Sequence, residues 1–199
     1  MIRIRESIAF SKSRDFATDF WKTLYMERGK ISLIGFMGAG KSTVAALLAQ
    51  ALNIECCEMD EEILRLAQST LGFSASTVSE IIDVHGDSVF RDLEEQVASD
   101  LRLRRDLVVS TGGGIIGRAQ NMTSLKEAEG VVVFLRTEFE TISHRLKDDT
   151  GRPLFRDRAK AQRLYQERLP LYERWSDLSV DTDRLLPPAV CDLLLKGLG

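Results

Sequence analysis

The sequence predicts an α/β protein in three layers, with a parallel sheet between two layers of helices. Short apolar runs alternate with helical segments from residue 31 to the end of the chain, which is typical of parallel strands joined by crossover helices. The runs are short and predominantly apolar, as expected for strands covered on both faces. A glycine-rich loop joins the first run to the first helical segment, and such loops bind ligands at the carboxyl edge of these sheets.

The composition fits a single compact domain. The chain has 199 residues, of which 44% are hydrophobic and 29% charged, enough to bury a core without disulfides or a structural metal. The net charge of −3 argues against a nucleic-acid partner. No apolar run approaches the roughly 18 residues that cross a bilayer, and no signal-peptide pattern follows the first residue. We expect a cytoplasmic protein without a membrane partner, a monomer, and reduced cysteines.

Individual elements follow from the spacing of apolar residues. Apolar runs predict five strands, at residues 31–34, 54–57, 107–110, 131–136 and 178–180. Helical spacing and composition predict helices at residues 42–52, 59–68, 77–104, 138–147, 157–168 and 187–197.

Residues 1–29 are predicted to form an N-terminal extension, and residues 30–199 the folded domain. Basic residues outnumber acidic ones in the extension, but acidic residues are too frequent for a transit peptide. We expect residues 1–25 to be helical or disordered, or to precede the true start, because Met26 lies just before the first strand.

The strongest functional motif is the glycine-rich loop. Residues 35–43 read GFMGAGKST, which matches the P-loop pattern G-x-x-x-x-G-K-[ST] between a strand and a helix. Loop N–H groups and the helix N-terminus would bind phosphate oxygens. Lys41 would reach the β- and γ-phosphates, and the Ser42 hydroxyl would ligate Mg²⁺. The predicted nucleotide-binding residues here are Gly38, Ala39, Gly40, Lys41, Ser42 and Thr43.

The rest of the chain indicates what receives the phosphate. A switch GTPase needs DxxG and NKxD motifs, but DVHG at residues 83–86 lies in a helical stretch and no NKxD follows. A motor or helicase normally needs a much longer chain. A small-molecule kinase therefore fits this length best.

Three further features follow the P-loop. Glu58 and Asp60 come just after the second strand, where side chains point into the ligand crevice. Arg91 and Glu94 share a helix face, and a held arginine suits a substrate carboxylate. The three glycines at 112–114 follow the third strand and would let a substrate approach the backbone. Each feature alone has a structural explanation, as a helix-dipole partner, a surface ion pair or a turn.

Together these segments resemble the shikimate kinase family, from about residue 30 to the C-terminus. The matching pieces are GFMGAGKST, Asp60 followed by EEI, FRDLEE, STGGG, GRPL and RLPLYE. The resemblance implies a P-loop kinase architecture similar to nucleoside monophosphate kinases, with a five-stranded parallel sheet, a mobile lid and a helical acceptor-binding region at about residues 59–98. It also implies transfer of the γ-phosphate of ATP to the 3-hydroxyl of shikimate, in aromatic amino-acid biosynthesis.

The resemblance assigns roles residue by residue. Asp60 would bind shikimate hydroxyls and accept the proton, and Arg152 in the lid would reach both phosphates and substrate. The lid spans about residues 148–160, with Gly151 as its hinge. The implied shikimate contacts are Asp60, Phe90, Arg91, Glu94, Gly112, Gly113, Gly114 and Arg168. Arg145 would stack on adenine, and Ser42, Glu58 and Ser110 would lie at Mg²⁺.

One departure from the family pattern leaves alternatives open. Glu58 stands where the family usually has an aspartate that holds magnesium through water. A catalytically weakened, kinase-like binding protein therefore remains an alternative. Another small-acceptor kinase, for gluconate or a nucleotide, is the second; Arg91, Arg168 and the glycine triplet favour an acidic, hydroxylated acceptor instead.

Overall fold

The computed structural model describes residues 2–4, 29–147 and 157–196, with residues 2–4 and Lys196 described through the backbone alone. Its strands are β1 (Ile2–Ile4), β2 (Lys30–Ile34), β3 (Glu55–Glu58), β4 (Leu107–Ser110), β5 (Val131–Arg136) and β6 (Leu178–Asp181). They form one sheet in the order β1-β6-β5-β2-β4-β3. Strands β2 to β6 pair in parallel, which confirms the predicted five-stranded parallel sheet.

Eight α-helices surround the sheet in the described part of the chain. They are α1 (Lys41–Leu52), α2 (Met59–Leu71), α3 (Val78–His85), α4 (Asp87–Asp100), α5 (Ala119–Lys126), α6 (Phe139–Arg145), α7 (Arg158–Trp175) and α8 (Pro187–Lys196). A short 3-10 helix, Ile115–Gly117, precedes α5. None of the described helices is both long and apolar enough to cross a bilayer.

The sheet separates two apolar cores. Along β5, Val131, Val133 and Leu135 belong to one core, while Val132 and Phe134 belong to the other, as the alternation of a strand requires. The first core is completed by α1 and α8, and the second by helices that include α2, α4, α5 and α7. The three-layer α/β/α arrangement predicted from the sequence is therefore confirmed.

Some elements differ from the sequence-based expectation. The helical segment 77–104 is two helices, because Gly86 between them has a φ of 88°, which favours glycine. Helix α7 continues well beyond the expected end at residue 168, with Pro170 inside it. Helix α5 was not predicted; its buried residues are only Asn121, Met122 and Leu125, too few for a clear apolar pattern.

The N-terminal extension contributes one described element. Residues 2–4 form strand β1, which pairs antiparallel to β6 with Ile2 opposite Val180. For these three residues, helix or disorder was the wrong expectation. Three residues are too short for a strand pattern to stand out in the sequence. The remaining residues of the extension, including Met26, lie outside the described part.

Candidate active site

The P-loop connects the end of β2 to the start of α1. Gly38 and Gly40 have φ angles of 80° and 91°, in the left-handed region that side chains disfavour. A Cβ atom at Gly38 would also lie 2.9 Å from a methyl carbon of Leu146. Both the backbone conformation and the close packing therefore require glycine at position 38. The loop leads into the N-terminus of α1, which attracts anions.

Lys41 is buried at the base of this loop. Its Nζ donates to the carbonyl oxygens of Gly35, at 2.9 Å, and Phe36, at 3.2 Å. These bonds hold the ammonium within the loop. A phosphate oxygen is a stronger acceptor for an ammonium than a neutral carbonyl is, so Lys41 is well placed to contact a bound phosphate.

Three oxygen-bearing side chains meet beside the P-loop. Ser42 Oγ donates to Glu58 Oε2 at 3.3 Å and lies 3.3 Å from Ser110 Oγ. Ser42 lies near the start of α1, Glu58 ends β3 and Ser110 ends β4. Strands β3 and β4 are neighbours in the sheet, and their register places Glu58 opposite Ser110. The sheet thus brings together all three residues predicted to lie at a metal.

This oxygen cluster suits a hard cation. Burial raises the pKa of Glu58, opposed by hydrogen bonds from Ser110 and Ser42 and reinforced by the negative charge of Asp60. A cation would offset the cost of burying this carboxylate. The described residues contain no group of three His, Cys, Asp or Glu side chains that could hold a metal. Mg²⁺ here would therefore take most of its ligands from water and phosphate, as it commonly does.

Arg91 and Glu94 form an ion pair one turn apart on α4. Arg91 Nη1 donates to Glu94 Oε2 at 2.9 Å, with the Glu94 side chain only 1% exposed. Burial raises the pKa of Glu94, and the charge of Arg91 opposes that shift. The Arg91 guanidinium lies 4.8 Å from the centre of the buried Phe90 ring. Glu94 and Phe90 therefore hold a partly exposed guanidinium in place, as binding of a carboxylate requires.

The glycine triplet packs directly against these charged groups. A Cβ atom at Gly114 would lie 2.5 Å from Arg91 Nη1. A Cβ atom at Gly112 would lie 3.3 Å from Asp60 Oδ1 and 3.4 Å from Glu94 Oε1. Gly112 and Gly114 are therefore the points where side chains of α2 and α4 approach the backbone after β4.

Helix α7 closes the opposite side of the triplet. Arg168 Nη1 donates to the carbonyl oxygen of Gly113 at 3.2 Å, and Tyr172 Oη donates to the same oxygen at 2.5 Å. The Arg168 guanidinium also lies 6.0 Å from the ring centre of Phe36 in the P-loop. Arg168 therefore lies between the glycine triplet and the phosphate loop.

A cavity of about 550 Å³ opens between these elements. Its lining includes Arg91, Gly114, Ile116, Leu164, Arg168 and Leu171. The lining also contains Arg118 and the acids Asp87 and Glu167. Three arginines against two acids, next to a backbone without side chains at Gly114, favour a compact acidic ligand.

Comparison with known proteins agrees with this geometry. The family model "Shikimate kinase" matches residues 37–198. The chain belongs to the shikimate kinase family. A shikimate kinase of Thermodesulfovibrio yellowstonii is 37% identical over 169 residues, which cover 83% of this chain and 92% of the relative. Shikimate kinase 1 of Yersinia enterocolitica is 38% identical, over 86% of this chain and 97% of the relative.

Solved structures share the fold. Shikimate kinase from Acinetobacter baumannii, in complex with shikimate, superimposes with a TM-score of 0.75 at 32% identity, covering 88% of this chain and 95% of that one. A gluconokinase from Sinorhizobium meliloti has a TM-score of 0.58 at 21% identity, covering 86% and 91%. The second match shows only that the fold is common to kinases with other acceptors.

Most of the residues that family resemblance singled out are brought together in the structure. Asp60, Arg91, Glu94, the glycine triplet and Arg168 surround one region beside the P-loop. Phe90 is buried beneath Arg91 rather than exposed. Ala39 is buried in the loop, whereas Ser42 and Thr43 are exposed at the start of α1.

Arg145 and Arg152 are the two remaining residues of the predicted site. Arg145 donates to the carbonyl oxygen of Thr182 at 2.9 Å and lies 3.4 Å from that of Gly38, so it bridges the P-loop and the segment after β6. Its contact with adenine stays a prediction. Arg152 and residues 148–156 of the predicted lid lie outside the described residues, while Asp157 and Arg158 begin helix α7.

Two residues of the site were missed by sequence reasoning. Tyr172 lies within the quoted RLPLYE segment, but nothing in the segment predicts its bond to the Gly113 carbonyl. Asn121 lies on the unpredicted helix α5 and approaches Glu94 Oε2 at 3.4 Å. No spacing rule connects either residue to the site, because both contacts cross more than 25 positions of sequence.

Proposed function

We propose that this enzyme transfers the γ-phosphate of ATP to the 3-hydroxyl of shikimate, giving shikimate 3-phosphate and ADP in aromatic amino-acid biosynthesis. One observation carries the proposal: Arg91, Arg168 and Gly114 line one pocket, and Arg168 also lies 6.0 Å from the ring centre of Phe36 in the P-loop. Shikimate offers a carboxylate and ring hydroxyls of matching chemistry. Membership of the family supplies the identity of the acceptor.

The donor side of this reaction is built by the P-loop. Backbone N–H groups of residues 38–43 bind the phosphates of ATP, and the α1 N-terminus adds favourable charge. Lys41 exchanges its carbonyl partners for phosphate oxygens and offsets negative charge on the transferring group. Arg145 lies against the adenine.

Ser42, Glu58 and Ser110, the oxygen cluster beside the loop, would hold Mg²⁺. The raised pKa of the half-buried Glu58 carboxyl supports this assignment, because a bound cation would favour its charged form. When bound, the ion would neutralise charge between the β- and γ-phosphates. The extra methylene of Glu58, compared with the aspartate usual in the family, is consistent with its direct hydrogen bond to Ser42.

The acceptor side orients shikimate for in-line attack. Arg91 and Arg168 bind the carboxylate, and residues 112–114, which have no side chains, leave room for the ring to lie close to the backbone. Asp60 Oδ1 lies next to Gly112, so a hydroxyl over the glycines lies within reach of this carboxylate. Asp60 orients that hydroxyl and accepts its proton, and catalysis comes mainly from positioning and electrostatics.

The lid completes the site in this proposal. Arg152 reaches the phosphates and the substrate once residues 148–160 close, and closure excludes water that would otherwise hydrolyse ATP. The support is the GRPL segment and its polar surroundings in the sequence.

The protein is further proposed to act as a cytoplasmic monomer without a nucleic-acid partner. The net charge of −3 supports the last point. Light scattering on the purified chain measures its mass directly: a mass near 22.3 kDa is expected, and twice that value would contradict a monomer.

A coupled ADP-release assay tests the reaction. ATP and Mg²⁺ are supplied with shikimate, with gluconate or with nucleoside monophosphates. Turnover is expected with shikimate alone. Equal turnover with gluconate would instead favour a kinase of different acceptor, and ATP binding without turnover on any acceptor would favour a kinase-like binding protein.

A further inference from the structure

Asn121 is a buried polar residue that the reaction described above does not use. It is the third residue of α5 and is fully buried. Burial of an amide is unfavourable unless it is hydrogen-bonded, so its contacts indicate what it does.

The amide nitrogen of Asn121 faces two oxygen atoms. Nδ2 lies 3.4 Å from Glu94 Oε2 and 3.4 Å from the carbonyl oxygen of Ile115. Both are acceptors, so the NH₂ end rather than the carbonyl end must face them. Asn121 Oδ1 has no hydrogen-bond partner among the described residues.

These two oxygens belong to two different segments next to the acceptor pocket, helix α4 and the backbone after the glycine triplet. Glu94 Oε2 also accepts the bond from Arg91, at 2.9 Å. Ile115 directly follows the glycine triplet and begins the 3-10 helix. A single side chain therefore ties the carboxylate behind Arg91 to the backbone that follows residues 112–114.

We propose that Asn121 is a positioning residue for acceptor binding: its amide holds the Glu94 carboxylate in the orientation that presents Arg91 to the carboxylate of the acceptor. This role rests on the proposed function and concerns the same site. Without the amide, Glu94 keeps only the bond from Arg91 on Oε2, since Oε1 has no partner among the described residues. The carboxylate can then rotate and take the guanidinium with it.

The charged groups around Glu94 determine how the role can be tested. Arg91 faces it from the same helix, Asp60 from α2 and Arg168 from α7. A carboxyl group at position 121 would add a second acid next to Glu94. Such a pair can keep one proton, and the protonated carboxyl then donates as the amide does. When that proton is lost at higher pH, two acceptors face each other.

The test uses two nearly isosteric variants of the full chain. Asn121→Leu removes the donor at every pH, so we expect the KM for shikimate to rise about tenfold, as for loss of one bond to a charged group. For Asn121→Asp, we expect the KM for shikimate to rise between pH 6 and pH 9. This rise should be larger than that of the native enzyme over the same range. The KM for ATP should stay within about twofold in both.

Leu125→Ala on the same helix is the matched control, because Leu125 is equally buried but apolar. It should lower the thermal midpoint without a change in the KM for shikimate. The positioning role is overturned if folded Asn121→Asp follows the native pH profile, or if both KM values rise together. Native enzyme that fails to phosphorylate shikimate would overturn the proposed function as well, whereas active native enzyme with unaffected variants would overturn only the role of Asn121.

Discussion

The ion pair between Arg91 and Glu94 illustrates how a single residue is prepared for its ligand. The Glu94 carboxylate is almost fully removed from water, while the Arg91 side chain keeps 21% of its surface exposed. A carboxylate ligand can therefore reach the guanidinium without displacing its internal partner. The cost of ordering the arginine is met on folding rather than on binding.

Replacement of Arg91 by alanine should weaken acceptor binding strongly. Loss of a charged contact is worth about 2–3 kcal/mol, which corresponds to a KM for shikimate raised about 30- to 150-fold. The KM for ATP should be nearly unchanged, because the described hydrogen bonds and ion pairs of Arg91 go to Glu94 and Asp87 and not to the P-loop. Steady-state kinetics with each substrate varied in turn measures both constants.

Arg65→Ala is the matched control, since Arg65 is an exposed arginine that pairs with Glu61 and Glu62 on α2. Its KM for shikimate should equal that of the native enzyme. An Arg91→Ala enzyme with an unaltered KM for shikimate would show that the carboxylate binds elsewhere.

Glu58 supplies the only negative charge of the oxygen cluster formed with Ser42 and Ser110. Glu58→Gln keeps the size of the side chain and removes the charge, so the Mg²⁺ concentration for half-maximal rate should rise about tenfold or more. A Mg²⁺ titration at saturating ATP measures this. Glu61→Gln, an exposed acid on the next helix, should leave the titration unchanged; a shift of equal size in both variants would point to general surface charge.

The glycine triplet shows what is decided at the level of an element. Strand β4 ends at Ser110, and the chain then runs past Asp60, Glu94 and Arg91 before the 3-10 helix begins. Side chains at these positions would occupy the space that the charged groups need. The sequence predicts this close approach from the glycines alone, but not which side chains come near.

Gly114→Ala should therefore impair acceptor binding without unfolding the protein. The new methyl group would lie 2.5 Å from Arg91 Nη1, and a flexible guanidinium can move away. The φ of −99° at Gly114 is accessible to alanine, so the thermal midpoint should change little. We expect a KM for shikimate raised at least fivefold, for a displaced charged contact worth about 1 kcal/mol or more.

Gly117→Ala adds the same methyl group three residues later, where no atom of the described residues lies within 4 Å. Gly117 lines the same cavity, but its methyl group would not displace Arg91, so the KM for shikimate should rise less than with Gly114→Ala. If Gly114→Ala behaves like Gly117→Ala, Arg91 does not contact the acceptor in the geometry described above.

At the scale of the whole molecule, stability and function depend on opposite edges of the sheet. Lys30 begins β2 at the edge away from the P-loop and is fully buried. Its Nζ donates to the carbonyl oxygens of Leu101, Arg102 and Ser124, at 2.8, 3.1 and 3.2 Å. One ammonium thus joins the ends of α4 and α5 to the central strand.

Lys30→Met keeps the aliphatic chain but leaves these carbonyls without their donor. The free energy of unfolding should fall by about 3 kcal/mol, while both KM values stay unchanged in the folded enzyme. Denaturant titration and steady-state kinetics measure the two effects. A large change in KM would show that the two edges are coupled.

The same lysine predicts a pH dependence. Burial lowers the pKa of Lys30 to about 8, from 10.5, against the opposing charge of Glu127. Between these values the unfolded chain binds more protons than the folded one, so the contribution of Lys30 to the free energy of unfolding rises with pH. The stability difference between native and Lys30→Met proteins should be larger at pH 9.5 than at pH 7.5.

Much of the fold and of the site could be predicted from sequence, because both depend on local patterns. The strands at 107–110 and 131–136 are apolar runs with the predicted bounds. The spacing of the glycines and Lys41 is enough to predict a phosphate-binding loop. Asn121, Tyr172 and β1 could not be predicted. Their roles arise from contacts between distant segments, and their own neighbours in sequence carry no signal for them.

The position of the phosphate on the product tests whether this pocket presents the 3-hydroxyl of shikimate to ATP. Purified chain is incubated with ATP, Mg²⁺ and shikimate, and the product is analysed by phosphorus–proton correlation NMR. We expect one new phosphate ester, coupled to the proton at carbon 3 of the ring. An ester at another hydroxyl would contradict the proposed orientation over the glycine triplet, and the absence of any ester would contradict the assignment of this pocket to shikimate.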